Sequence, residues 1–221
     1  MMAVPNIPRV NLRLFPVRIL RAFALCTVLL LRFAFAAQQV YSEAPSSTPS
    51  ITIKTNYYTF GGTNHAQLRA AMSAARPWRS RYDALTKWDL ESSYRVRVEG
   101  AQFEISDVDV RAEVLVTLPF WLPGRPVSRD LVQRWEKCLA GLSAHEQGHV
   151  VLAKAAAAAL VGRLQALPRF NSRQELAAAA NQALQETLDE IHGGERRYDQ
   201  VTRHGSTQGA VFPMRPEEEE L

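Results

Sequence analysis

The sequence predicts an α+β protein in which a small antiparallel sheet packs on one long helix and on a second, C-terminal helix. Three observations support this. Apolar and polar residues alternate through the middle of the chain, apolar residues recur every three or four positions in its last third, and prolines or glycines separate these segments. A period of two is typical of strands with one covered face, and recurrence at three and four is typical of helices.

The first 36 residues have the features of a secretory signal peptide. A lead with arginines and no acidic residue precedes the ten apolar residues Ala22 to Leu31, and the sequence AFA that follows offers small residues to a signal peptidase. The apolar stretch is shorter than the roughly 20 residues that span a bilayer. Arg32 follows the apolar stretch directly, which is unusual for a signal peptide, so an uncleaved membrane anchor is the alternative interpretation. We expect an exported protein, periplasmic or secreted, without stable membrane insertion after cleavage.

The charge balance argues against a nucleic-acid partner. The formal net charge is +4, and residues 1–36 hold five arginines and no acid, so the remaining chain is near −1. The positive charge therefore belongs mostly to the signal segment and does not indicate nucleic-acid binding. Cys26 lies in the same segment, which leaves Cys138 without a partner for an intramolecular disulfide, and we expect it to be a buried apolar residue.

The polar, Pro- and Ser-rich residues 37–50 are predicted to form a disordered linker, and the acidic residues 214–221 a disordered tail. The folded domain should cover residues 51–213. It begins with a predicted strand, ITIKTNYYTF, which Gly61 and Gly62 end. A short helix, NHAQLRAAMSAA, follows and is closed by Pro77.

Two long alternating segments, TKWDLESSYRVRVEG and AQFEISDVDVRAEVLVTLPFW, are predicted strands. Ser128 then caps a long helix that runs to about Leu167. Ser172 and Glu175 form a capping box at the start of a second helix. We expect that helix to run to about Ile191 and to stop at Gly193-Gly194, which leaves the residues beyond in an irregular segment.

The segment SAHEQGHVVLA places His145, Glu146 and His149 within the long helix. Successive helical residues turn by about 100°, so the two histidines lie about 40° apart on one face and can both reach one zinc ion. Glu146 is rotated away from that pair, out of direct ligation but close to a water molecule that the ion activates. This spacing is the H-E-x-x-H arrangement of zinc metalloproteases, and it predicts Glu146 as the general base.

A catalytic zinc site needs a third protein ligand, and several residues compete for that place. We expect His204, because a second helix can pack back and deliver its loop to the site, and because Gly205 would let the backbone approach closely. Glu186 and Glu190 on the second helix, and Asp199, are the alternatives.

Two neighbouring residues have predicted supporting roles. Tyr198 could polarise a substrate carbonyl, which makes it a candidate catalytic residue. Asp199 could orient a ligating histidine by accepting its free N–H.

The segments YYTFGGTNHAQLRAAM, TKWDLESSYRV, VTLPFW, SAHEQGHVVLA and YDQVTRHGSTQGAVFP occur in an order that resembles the bacterial domain of unknown function 922 family, predicted secreted zinc-dependent proteases. The similarity covers roughly residues 51–213. The resemblance implies a zincin-like peptidase unit with His145 and His149 as ligands, Glu146 as base, and Asp199 and His204 in the site. It implies no particular substrate.

The expected function is hydrolysis of peptide bonds by a zinc-activated water molecule, with a peptide or protein as substrate. A non-catalytic zinc-binding scaffold of the cell envelope is the alternative from another class.

Overall fold

The computed structural model of the chain describes residues 48–211. The predicted signal peptide at 1–36, nearly all of the predicted linker and the acidic tail lie outside these residues. Three strands and three helices make up this part of the chain, and a short 3-10 turn at Ser206–Gln208 follows the last of these helices. In chain order they are β1 Ser50–Phe60, α1 His65–Ala75, β2 Leu85–Glu99, β3 Gln102–Trp121, α2 Arg129–Gln165 and α3 Arg173–Thr202. The α+β prediction is confirmed.

The sheet is mixed, which corrects the predicted antiparallel sheet. Its strand order is β1-β3-β2, with β3 in the centre. β2 and β3 form an antiparallel hairpin, but β1 runs parallel to β3 from the Ser50–Arg111 pair to the Phe60–Trp121 pair. Alternation of apolar and polar residues reveals that one face of a strand is covered, but it carries no information on strand direction.

The core lies between one face of the sheet and the helices α2 and α3. Alternate residues of β3, from Val108 to Leu118, are buried and pack against buried residues of both helices. Leu160 and Leu164 of α2 are almost fully buried. Each side chain of this size stabilises the fold by about 1.5–3 kcal/mol relative to an exposed one. This packing holds α2 and α3 side by side.

The helix starts follow the predicted capping. The Ser128 side chain accepts from the backbone N–H of Leu131, and the Ser172 side chain accepts from that of Glu175. Cys138 is buried as expected, and its burial raises the pKa of the thiol to about 12. Within residues 48–211, none of the helices is long and apolar enough to cross a membrane.

The end of α3 differs from the prediction. The helix continues through Gly193 and Gly194 and ends at Thr202, eleven residues beyond Ile191. Glycine in a helix interior costs only about 1 kcal/mol, and the following residues ERRYDQV include good helix formers. Gly194 also packs near the Leu152 side chain of α2. Contact with α2 therefore stabilises α3 as a helix across the two glycines, which would otherwise favour its end.

Candidate metal and active site

The two histidines of α2 face one point. His145 Nε2 lies 3.2 Å from Asp199 Oδ1, and His149 Nε2 lies 3.1 Å from the same oxygen. The ring centroids of the two imidazoles are 4.9 Å apart. Two neighbouring turns of α2 therefore present both Nε2 atoms to a carboxylate that α3 delivers, because the longer α3 extends past the site.

These three residues could hold a divalent cation. Their donor atoms lie within 4.8 Å of one another. Among residues 48–211, these are the His, Cys, Asp or Glu side chains that gather in a group of three at such distances. Zinc bonds of about 2.0–2.2 Å in a tetrahedral arrangement put neighbouring ligand atoms roughly 3.3–3.5 Å apart. The nitrogen–oxygen distances of 3.1 and 3.2 Å are close to that spacing. Two imidazoles and one carboxylate are also a donor set that zinc accepts.

The other nitrogen of each ring has its own partner. His145 Nδ1 lies 3.1 Å from Gln208 Oε1, and His149 Nδ1 lies 3.7 Å from Glu195 Oε1. An Nδ1–H directed at these oxygens leaves the Nε2 lone pair free for a metal. Burial lowers the pKa of His149, but hydrogen bonds to Asp199 and Glu195 outweigh burial and raise that pKa to about 9. The two carboxylates therefore favour positive charge at His149. A bound metal cation could supply that charge in place of a proton.

Glu195 was not predicted as a site residue. It lies one helical turn before Asp199 on α3, so both carboxylates face α2. The Trp88 indole N–H donates to Glu195 Oε1 at 2.7 Å. Burial raises the pKa of Glu195, but hydrogen bonds to His149 and Trp88 outweigh it and lower the pKa overall. Glu195 is thus a fixed, ionised carboxylate behind His149.

Glu195→Gln is expected to weaken zinc binding about 10–100-fold, because the amide no longer fixes His149 by charge. Titration against a chromophoric zinc chelator measures this. Glu190→Gln is the matched control, since Glu190 lies on the same helix and pairs with Arg163 instead. Equal zinc affinities in both variants and the wild type would show that Glu195 does not support the ligand.

Glu146 lies beside the cluster but outside it. The residue is 4% exposed, and the Thr86 hydroxyl of β2 donates to its Oε2 at 2.6 Å. Burial raises the pKa of Glu146, while the Thr86 hydrogen bond and the two histidines act in the opposite direction. A carboxylate held in this way beside a metal position is suited to accept and return a proton.

His204 does not share the convergence point of the other two histidines. Its Nδ1 lies 3.6 Å from Asp199 Oδ2, and its ring packs at a tilt against Tyr82, with centroids 4.5 Å apart. The Tyr82 hydroxyl lies 3.2 Å from His204 Nε2. In this geometry Asp199, one of the alternative ligands, offers the third donor atom, and His204 contacts the other oxygen of that carboxylate. The glycine after His204 does allow close approach, since the Gly205 backbone lies against the His145 ring.

Tyr198, for which contact with a substrate carbonyl is predicted, packs against His145. Its ring stacks on His145 with centroids 5.1 Å apart, and its hydroxyl donates to the His145 carbonyl oxygen at 3.1 Å. Gly148 makes room for it, because a Cβ there would lie 2.1 Å from the tyrosine ring. Tyr198 does not line the cleft above the cluster, whereas Tyr82 does.

The other candidate ligands lie elsewhere. Glu190 accepts from the Arg163 guanidinium at 2.6 Å, and Glu186 accepts from the Gln182 side chain at 2.9 Å. Neither lines the cleft. Thr86, Glu195 and Gln208 were missed by the sequence reasoning; only Glu195 had a usable signal, its four-residue spacing from Asp199.

The cluster opens into a cleft of about 610 Å³, a size typical of substrate sites. Its floor carries His145, Glu146, His149 and Asp199. One wall comes from β2 and from the segment that precedes it, residues 78–84. The site therefore has room for a ligand beside a metal ion.

The chain is thus an α+β protein in which His145 and His149 of α2 and Asp199 of α3 lie together at one cleft. The chain belongs to the family described as "Bacterial protein of unknown function (DUF922)", whose model matches residues 55–205. The predicted family is confirmed. No curated protein and no solved structure matches the chain.

Proposed function

We propose that this protein is an exported zinc-dependent peptidase, with His145, His149 and Asp199 as the metal ligands. One observation carries the proposal. Two imidazole Nε2 atoms lie 3.2 and 3.1 Å from one carboxylate oxygen, with the Glu146 carboxylate beside them in an open cleft. The proposed export rests on the signal-like residues 1–36.

A zinc ion in this place would polarise a carbonyl oxygen and lower the pKa of water toward 7. Glu146 accepts the proton from the attacking water and passes it to the leaving amine. Thr86 keeps the Glu146 carboxylate in position through its hydroxyl. Tyr82 and His204 line the same cleft, where the Tyr82 hydroxyl can donate to the substrate carbonyl.

The open cleft favours an enzyme over a scaffold. A structural zinc site is usually closed by four protein ligands, whereas a catalytic one keeps a position free. Among the described residues, three donor atoms converge and no fourth joins them within the same distance. A purely structural zinc site would need neither an open cleft nor a carboxylate such as that of Glu146 beside the metal position.

Removal of the metal tests the proposal. The purified exported chain is expected to contain one zinc ion, to cleave members of a mixed peptide library, and to lose both properties on dialysis against a chelator. Added zinc should restore both, while added magnesium should restore neither, because magnesium prefers oxygen ligands. Mass spectrometry of the peptides and elemental analysis of the protein measure the two properties. Stoichiometric zinc without any cleavage would favour the scaffold instead.

A further inference from the structure

The mouth of the cleft carries three cations that no acidic residue neutralises. Arg79 and Arg81 lie on the segment between α1 and β2, and Lys87 lies near the start of β2; all three are exposed and line the cleft. Within residues 48–211, none of them forms an ion pair; the Arg81 guanidinium lies over the Tyr82 ring, 5.7 Å from its centroid. We call these three residues the basic rim.

The segment that carries the rim is fixed to the fold. Asp83 receives two hydrogen bonds from Arg69, of 2.6 and 2.8 Å, and the Tyr58 hydroxyl donates to the Asp83 carbonyl oxygen at 2.7 Å. The Trp78 indole N–H donates to the Tyr82 carbonyl oxygen at 2.8 Å. These bonds hold the backbone on both sides of Arg79 and Arg81, so their charges stay at the cleft mouth.

The carboxylates of the cleft leave the rim charge uncompensated. Asp83 is used by Arg69 and also lies 3.3 Å from Arg76. Glu146, Glu195 and Asp199 lie deeper, each with a hydrogen-bond partner in the site. A divalent cation bound there would offset two of these three charges. The exposed charged residues that line the cleft are those of the rim, and all three are positive.

We propose that the basic rim selects peptides with Asp or Glu close to the scissile bond, an inference that rests on the proposed peptidase function. A single-stranded nucleic acid fits less well, since it needs open aromatic faces for base stacking. Here the His204 ring packs against the Tyr82 ring, and the Arg81 guanidinium lies over that same ring.

Peptide binding tests the rim separately from catalysis. The zinc-loaded Glu146→Gln chain is titrated with labelled Glu-rich peptides, their Gln counterparts and their Lys counterparts, and fluorescence anisotropy is recorded. The Glu-rich peptides should bind about three- to thirtyfold more tightly than the Gln ones, and the difference should shrink as salt is added. The double reversal Arg79→Glu/Arg81→Glu should remove or invert the preference.

Lys54→Glu is the matched control, because Lys54 is an exposed lysine of β1 that does not line the cleft. Arg79→Gln/Arg81→Gln provides a second variant in case the reversal disturbs folding. Equal binding of the three peptide sets, an unchanged preference in both rim variants, or tighter binding of single-stranded DNA at the rim would overturn the inference. If the wild type binds acidic peptides but does not cleave them, the inference about the basic rim is supported and the proposed peptidase function is refuted.

Discussion

Glu146→Gln should retain the zinc content of the wild-type chain and lose about a hundred- to ten-thousandfold in peptide hydrolysis. The amide has the shape of the carboxylate and can still accept from the Thr86 hydroxyl, which donates at 2.6 Å in the wild type. It cannot accept a proton from water. Elemental analysis and steady-state hydrolysis of a cleaved library peptide measure the two effects on the same sample.

Glu136→Gln is the matched control for that variant. Glu136 is an exposed residue on the same helix, outside the cleft, and its change should alter neither zinc content nor rate. Loss of zinc together with activity in Glu146→Gln would argue that Glu146 is a ligand or a structural residue. Full activity with zinc retained would remove it from the reaction.

The parts of the fold that were predicted correctly depend on local signals. Ser128 and Ser172 mark their helix starts because a side-chain cap acts within three residues. The strands were found from alternation along each segment. The direction of β1 and the end of α3 were predicted wrongly, because pairing with β3 and packing on α2 decide them. These partners are far away in sequence.

The same distinction explains the site. His145, Glu146 and His149 share one helix, so their spacing alone predicts which of them face together. Asp199 comes from α3, and its position depends on a helix that continues past two glycines. With α3 expected to end near Ile191, the sequence favours His204 as the third ligand and leaves Asp199 as an alternative ligand or as a residue that orients a histidine. The end of α3 therefore decides which residue lies beside the two histidines, and in this structure that residue is Asp199.

The helix α2 carries a further signal that the sequence reasoning did not use. Gly141 and Gly148 flank His145 on one face, and a Cβ at either position would collide with a neighbour. At Gly141 the neighbour is the Gly209 backbone, and at Gly148 it is the Tyr198 ring. Glycines at these positions let α3 and the segment after it approach α2, which is how partners of the histidines reach them.

Asp199→Ala is expected to reduce zinc affinity by more than about a hundredfold, whereas His204→Ala should reduce it by about tenfold or less. The reason is geometric. Asp199 Oδ1 lies within 3.2 Å of both Nε2 atoms, while His204 contacts only the far oxygen of that carboxylate, at 3.6 Å. Chelator competition with purified chains gives the two dissociation constants. Asp189→Ala, an exposed position on the same helix, is the matched control.

The opposite ranking would reverse the assignment of the third ligand. If His204→Ala loses zinc while Asp199→Ala keeps most of it, His204 must turn toward the metal when zinc binds, and Asp199 serves to orient a histidine. Zinc-edge X-ray absorption separates these cases independently, since two imidazoles with one carboxylate and three imidazoles differ in multiple scattering. We expect the spectrum of two imidazoles, because both Nε2 atoms already meet the Asp199 carboxylate at 3.1–3.2 Å.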